Sequence, residues 1–192
     1  MPNYLPNARF AIAVDQGFPL WQAQGLIYAG WAKAAAGDAD NGLSSIRKGI
    51  ADYYQTGALT WTPLFHMIEA EVEVLCGHAE AALSILDHAL ETSRVRGENY
   101  FEAELMRSRG ERFRDRDSSN AETSFREALD IARHQEAKLW ELRAASSLAR
   151  LWVETDRKDE ARNLLAPIYG WFSEGFDTLD LKGAKALLDE LA

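Results

Sequence analysis

The sequence predicts an all-α protein, a right-handed stack of about four helical hairpins with an extra helix at each end, and three observations carry that prediction. Its 192 residues hold thirty Ala and twenty-three Leu against five Val, a bias toward residues that lose little entropy in a helix and away from strand formers. Gly17, Gly57 and Gly97 recur forty residues apart, each four residues before an aromatic (Trp21, Trp61, Phe101), and Trp140 continues the series thirty-nine residues later. Between these marks the apolar residues fall at i, i+3, i+4 and i+7, the stripe of a helix with one buried face. A fixed period near forty marks a repeat array, in which each unit buries its apolar side on its neighbours.

The elements are expected in the following order. Residues 3–16, with Leu5, Phe10, Ile12, Ala13 and Val14, read as the unpaired second helix of a preceding unit. Repeats then occupy 19–57, 58–97, 98–136 and 137–175, and a closing helix occupies 178–191, making residues 1–192 a single repeat domain. The second helix of each repeat buries a stripe: Leu43, Ile46 and Ile50; Ala82, Leu83, Leu86, Ala89 and Leu90; Ala121, Phe125, Ala128, Leu129 and Ala132; Ala161, Leu164, Leu165 and Ile168. Gly37-Asp38-Ala39-Asp40 and Gly77-His78 break the hairpins, with Asp38 or Asp40 placed to cap the helix that follows. Pro167 lies inside the last second helix, where it removes a hydrogen bond and should kink or shorten the helix at a cost of ~3 kcal/mol. In the closing helix Leu181, Ala184, Leu187, Leu188 and Leu191 form one face, which would cover the apolar side of the fourth repeat.

Small residues recur where two helices of a hairpin must approach: Gly30, Ala70, Gly110 and Ala149 in the first helices, and Gly42, Ala82, Ala121 and Ala161 in the second. This arrangement resembles the tetratricopeptide repeat (TPR), and the third unit, with Gly110, Ala121, Phe125 and Ala128, matches it best. The period departs from the ~34 residues of the standard repeat, Gly49 and Ile168 stand where a second Ala is usual, and the turn from Arg114 to Asn120 is irregular. Longer helices are therefore expected.

Four stretches go further: Gln16-Gly17-Phe18-Pro19-Leu20-Trp21, Glu102-Ala103-Glu104-Leu105, the run from Glu141 to Trp152, and the run from Leu165 to Thr178. Together they resemble the C-terminal TPR region of large bacterial signalling proteins related to adenylate/guanylate cyclases that also carry a P-loop ATPase. That resemblance implies an interaction or sensor arm. It implies no nucleotide chemistry in this chain, which has no G-x-x-x-x-G-K-[ST] loop to hold phosphates.

Composition excludes several classes of function. A formal charge of -9 repels phosphate backbones, and the cluster Arg107, Arg109, Arg112, Arg114 and Arg116 is interleaved with Glu111, Asp115 and Asp117, so no nucleic acid is expected. No apolar run approaches the ~20 residues that span a bilayer, and no export signal follows Met1, which points to the cytoplasm and away from membranes. His66 with Glu69, and Cys76 with His78, are two weak pairs on different segments and do not supply the three or four convergent ligands of a metal site. His88 and His134 lack a Ser or Cys partner at any recognisable spacing, and Glu71 and Glu73 point to different faces of a helix. No catalytic residue, cofactor or metal is expected.

In the TPR arrangement the first helices line a concave face. The resemblance nominates Gln24, Ile27 and Trp31, then Leu64, Met67 and Glu71, then Glu104, Arg107, Glu111 and Arg114, then Arg143, Ser146 and Arg150 as groove residues. The first six suit a hydrophobic anchor of a protein or peptide partner; the arginines suit a carboxylate, which a guanidinium binds through two parallel hydrogen bonds. The same charged residues stand three or four apart and can instead pair with one another, and Trp31, Leu64 and Met67 can equally pack between helices. Three roles follow: a non-catalytic interaction scaffold, an arm that senses a small effector in the groove, and an adaptor that self-associates through its terminal helices near Phe10 and Phe18.

Overall fold

A computed structural model describes residues 17–191. Among the described residues there are nine α-helices and no strand: α1 (Pro19–Ala35), α2 (Ala39–Gln55), α3 (Thr62–Leu75), α4 (Ala79–Arg96), α5 (Glu102–Phe113), α6 (Ser118–His134), α7 (Lys138–Glu154), α8 (Lys158–Tyr169) and α9 (Leu179–Glu190). A short 3-10 turn, Asn99–Phe101, leads into α5. The helix expected over 3–16 lies outside the described residues, as does Phe10. The chain divides into two compact units, one ending at Glu98 and the other beginning at Asn99.

The first unit holds the hairpins α1/α2 and α3/α4, with α2 and α1 also packed on α3. Its core gathers Ile27, Ile46, Ile50, Tyr53, Phe65 and Val72 among others. Tyr53 meets Phe65 edge-on with ring centroids 4.9 Å apart, and its hydroxyl donates to the Thr60 carbonyl at 2.6 Å, tying the core to the turn between the hairpins. The α1/α2 crossing is the closest kind: a Cβ built on Gly30 would lie 2.6 Å from the Gly42 carbonyl oxygen, and one built on Gly42 would lie 2.6 Å from that of Gly30. The stripes predicted for α2 and α4 are buried at positions forty apart, from Leu43 and Leu83 to Ile50 and Leu90.

In the second unit α5/α6 and α7/α8 form hairpins, α7 also packs on α5 and α6, and α9 covers α7 and α8. Because α7 is packed from several sides, it is buried almost all round, from Glu141 to Trp152. Gly110 admits the Phe125 ring, whose Cε1 would be 2.5 Å from an added Cβ. The closing helix buries Leu181, Ala184 and Leu187. Past Pro167 α8 soon stops: the helix ends two residues later at Tyr169, after 12 residues, against 17 in α6.

One capping expectation is corrected. Asp38 occupies the N-cap of α2 but its side chain accepts no backbone N–H; both carboxylate oxygens take the Asn41 side-chain amide instead, at 2.9 and 3.2 Å. The capping carboxylate belongs to the irregular turn, where Asp117 accepts the Asn120 N–H at 3.0 Å and is thereby held below the usual carboxylate range.

Candidate functional site

In the first unit the expected groove residues part company. Ile27 is fully buried: it shares the inward arc of α1 with Ala23, Gly30 and Ala34, four before and three and seven after it, so it packs the hairpin and is unavailable to a partner. Leu64 is half-buried against the core, and Gln24 and Met67 are half-buried as well, while Glu71 is exposed. Trp31 is 42% exposed and shares its side of α1 with Trp21, 57% exposed, and Tyr28, 39% exposed. At ~100° per residue these three rings fall within an arc of about 80°. Trp61, 50% exposed, adds another ring at the start of α3, in a left-handed conformation (φ 73°) that costs a bulky residue energy.

A polar chain crosses the same unit. The Tyr54 hydroxyl meets His66 Nε2 at 3.0 Å, His66 Nδ1 meets Glu69 at 3.2 Å, and Arg47 reaches both Glu69 and the fully buried Glu73. Glu73 also takes His78 Nδ1 at 2.8 Å. Both histidines weighed as metal ligands are therefore engaged by carboxylates, and Cys76 packs against the core, its thiol pKa raised by burial. Among the described residues no three His, Cys, Asp or Glu side chains stand together as a metal site would need.

In the second unit Arg107, Arg143, Ser146 and Arg150 come together around one cavity of about 210 Å³. Most of the surrounding charge is already matched. Arg107 forks onto Glu104 at 2.8 and 2.9 Å and reaches Glu111 at 3.0 Å. Arg143 forks onto Asp180 of α9 at 2.8 and 2.9 Å and lies 5.1 Å over the Trp140 ring. Arg114 joins Glu111 to Glu154, and Ser147 links Arg107 to Glu111. Glu104 is only 4% exposed, so it serves this network and not a partner. Helical spacing reveals the pairs three and four apart. It does not reveal Arg143 with Asp180 or Arg114 with Glu154, whose separations of about one repeat are the signal that would have found them.

Arg109 and Arg116 of the 107–116 cluster also have work inside the fold. Arg109 hydrogen-bonds Ser124 at 2.9 Å, and Arg109 and Arg116 both lie over the Phe113 ring, at 4.9 and 5.3 Å. Farther along, Trp152 is clasped between Arg126 and Arg157, at 5.1 and 4.6 Å, and donates to Glu122 at 3.0 Å.

No protein-family model matches the chain. An uncharacterized protein of Rhizobium meliloti (strain 1021) is 28% identical over 141 residues, covering 70% of this chain, and the chain spans only 13% of that relative's length. Among solved structures, the nearly identical TPR-like repeats of a Podosopora anserina protein assigned as a kinesin light chain match 88% of this chain with a TM-score of 0.67 and 11% identity, covering 85% of that protein. A point variant of it matches with a TM-score of 0.68 over 84% of its own length, again at 11% identity. The fold of this chain is a TPR-like helical repeat.

Proposed function

We propose that the chain is a non-catalytic protein-interaction module, the TPR arm of a cytoplasmic bacterial signalling protein related to adenylate/guanylate cyclases with a P-loop ATPase. The observation that carries the interaction reading is the aromatic face of α1: Trp21, Tyr28 and Trp31 remain exposed on one side of a helix that packs through Ala23, Ile27, Gly30 and Ala34. Large rings held on a rigid element are what interface hot spots are made of, and such exposure wastes burial energy unless a partner recovers it. The signalling context is supported by the four stretches that resemble the cyclase-related family and by a bacterial relative in which a region like this one is a small part of a long protein.

The chain immobilised as bait should retain a bacterial protein from lysate, and the double substitution Trp21→Ser with Trp31→Ser should abolish that retention while leaving the helical circular dichroism and Tm unchanged. Equal retention by the variant would remove the aromatic face from the proposal. Arg107 is unsuitable for such a test, because it organises Glu104 and Glu111 along α5 and donates to Ser147 of α7, and its loss would disturb the fold.

A further inference from the structure

The cavity of the second unit contains donors that the chain leaves unmatched. Arg107 and Arg143 spend their guanidinium groups on Glu104, Glu111 and Asp180. Arg150, which lines the same cavity, has no hydrogen-bond or ion-pair partner among the described residues. One turn earlier on the same face of α7, Ser146 is only 6% exposed, opens into the cavity, and likewise has no partner for its hydroxyl among the described residues. Two convergent donors without protein acceptors in a recess offer a seat to an acceptor from outside the chain. Gly183 of α9 completes the seat: an added Cβ there would lie 3.5 Å from Arg150 Nη2, so the guanidinium faces bare backbone.

We infer that this cavity binds a small free monocarboxylate, gripped by the Arg150 fork and the Ser146 hydroxyl, with its apolar end toward Leu179. Size and charge both select that class. At about 210 Å³ the space falls below the ~300–1,000 Å³ of sites for drug-sized ligands. Leu179, which lines the cavity and is largely exposed, offers an apolar wall. Arg107 and Arg143 are taken up by Glu104, Glu111 and Asp180, so the free fork at the cavity is that of Arg150, which matches one carboxylate; with Arg150 included these six charges sum to zero, which disfavours the second charge of phosphate. The site is independent of the aromatic face of α1, and either can fail without the other.

The test is a titration of the isotope-labelled chain, followed by amide NMR, with acetate, propionate and lactate, with inorganic phosphate, and with a short peptide bearing a free or an amidated C-terminus. Saturable shifts confined to residues around 146–150 and 179–183 are expected with the monocarboxylates. Arg150→Gln, which breaks no ion pair, should weaken binding about ten- to a hundredfold at unchanged Tm, and Ser146→Ala should weaken it less. Absence of saturable shifts, equal affinity in Arg150→Gln, or tighter binding of phosphate would overturn the assignment. Binding of the free-carboxyl peptide without any binding of the small acids would overturn it in favour of chain-end recognition.

Discussion

Glu136 and Asp156 are held in the left-handed region, at φ 54° and 60°, in places where the rest of the chain uses glycine. The helix ending before Gly97 closes with Gly97 N–H on Arg94 and Glu98 N–H on Ser93, at 3.2 and 3.0 Å; the helix ending before Glu136 closes with Glu136 N–H on Arg133 and Ala137 N–H on Ala132, at 3.0 and 2.9 Å. The two ends are the same motif, thirty-nine residues apart. Glycine spacing makes this frame legible as far as Gly97, and there the signal stops, because a glutamate carries out the same turn at the expense of strain. Left-handed backbone costs a residue with a Cβ about 1–2 kcal/mol, part of which glycine returns as unfolded-state entropy. Glu136→Gly and Asp156→Gly should therefore each stabilise the chain by about 0.5–1 kcal/mol, read as a higher urea midpoint at unchanged m-value. A lower midpoint for either would show that the replaced side chain contributes more than its backbone costs.

At the scale of the element, the small residues were the most informative part of the sequence, because they mark where two helix axes converge. Gly30 and Gly42 occupy facing positions on α1 and α2, whereas Ala70 and Ala82 occupy the corresponding positions on α3 and α4. A methyl group at Gly30 would press on the Gly42 carbonyl oxygen at 2.6 Å and on Ile46 Cγ1 at 2.8 Å, and a backbone atom in a packed hairpin cannot retreat. Gly30→Ala should accordingly destabilise by about 1–3 kcal/mol in spite of the better helix propensity of alanine. Gly183→Ala is the matched contrast: its Cβ would meet only Arg150 Nη2, at an ordinary 3.5 Å, so the gain of about 1 kcal/mol in propensity should appear. Equilibrium urea unfolding of both variants measures the difference, and a stabilised Gly30→Ala would mean that the hairpin can open without loss. Less legible was the groove. Repeat position alone assigned Ile27 and Glu104 to a binding face, yet the α1 stripe turns Ile27 inward and Arg107 draws Glu104 into an ion pair. Position within a repeat fixes the direction of a side chain only as far as its helix neighbours allow, and pairings one repeat apart lie beyond helical periodicity.

At the scale of the whole molecule, the net charge of -9 conceals an uneven division of stabilising charge. Among the described residues the carboxylates held below their ordinary range are Asp117, Glu122, Glu141 and Glu160, and all belong to the unit that begins at Asn99. Burial of Glu122 works against ionisation but is outweighed by hydrogen bonds from Arg126, Trp152 and Arg157; for Glu141 the same opposition is overcome by Lys138 and Arg133. Asp117 is lowered by the Asn120 N–H and Glu160 by Arg157. A carboxylate with a depressed folded pKa contributes stability that is complete above its unfolded pKa and disappears as pH falls through the folded one. Acidification below the usual carboxylate range of about 4 should therefore loosen α6, α7 and α8, whose contacts include Glu122 with Trp152 and Arg157. Hydrogen exchange read by mass spectrometry at about pH 7 and pH 3.5, corrected for intrinsic exchange rates, follows each helix separately. Protection over residues 118–169 should fall on acidification, and the Glu122→Gln variant should already show part of that loss at neutral pH. Protection unchanged by pH in the native chain would mean that apolar packing, and not these ion pairs, holds the second unit together.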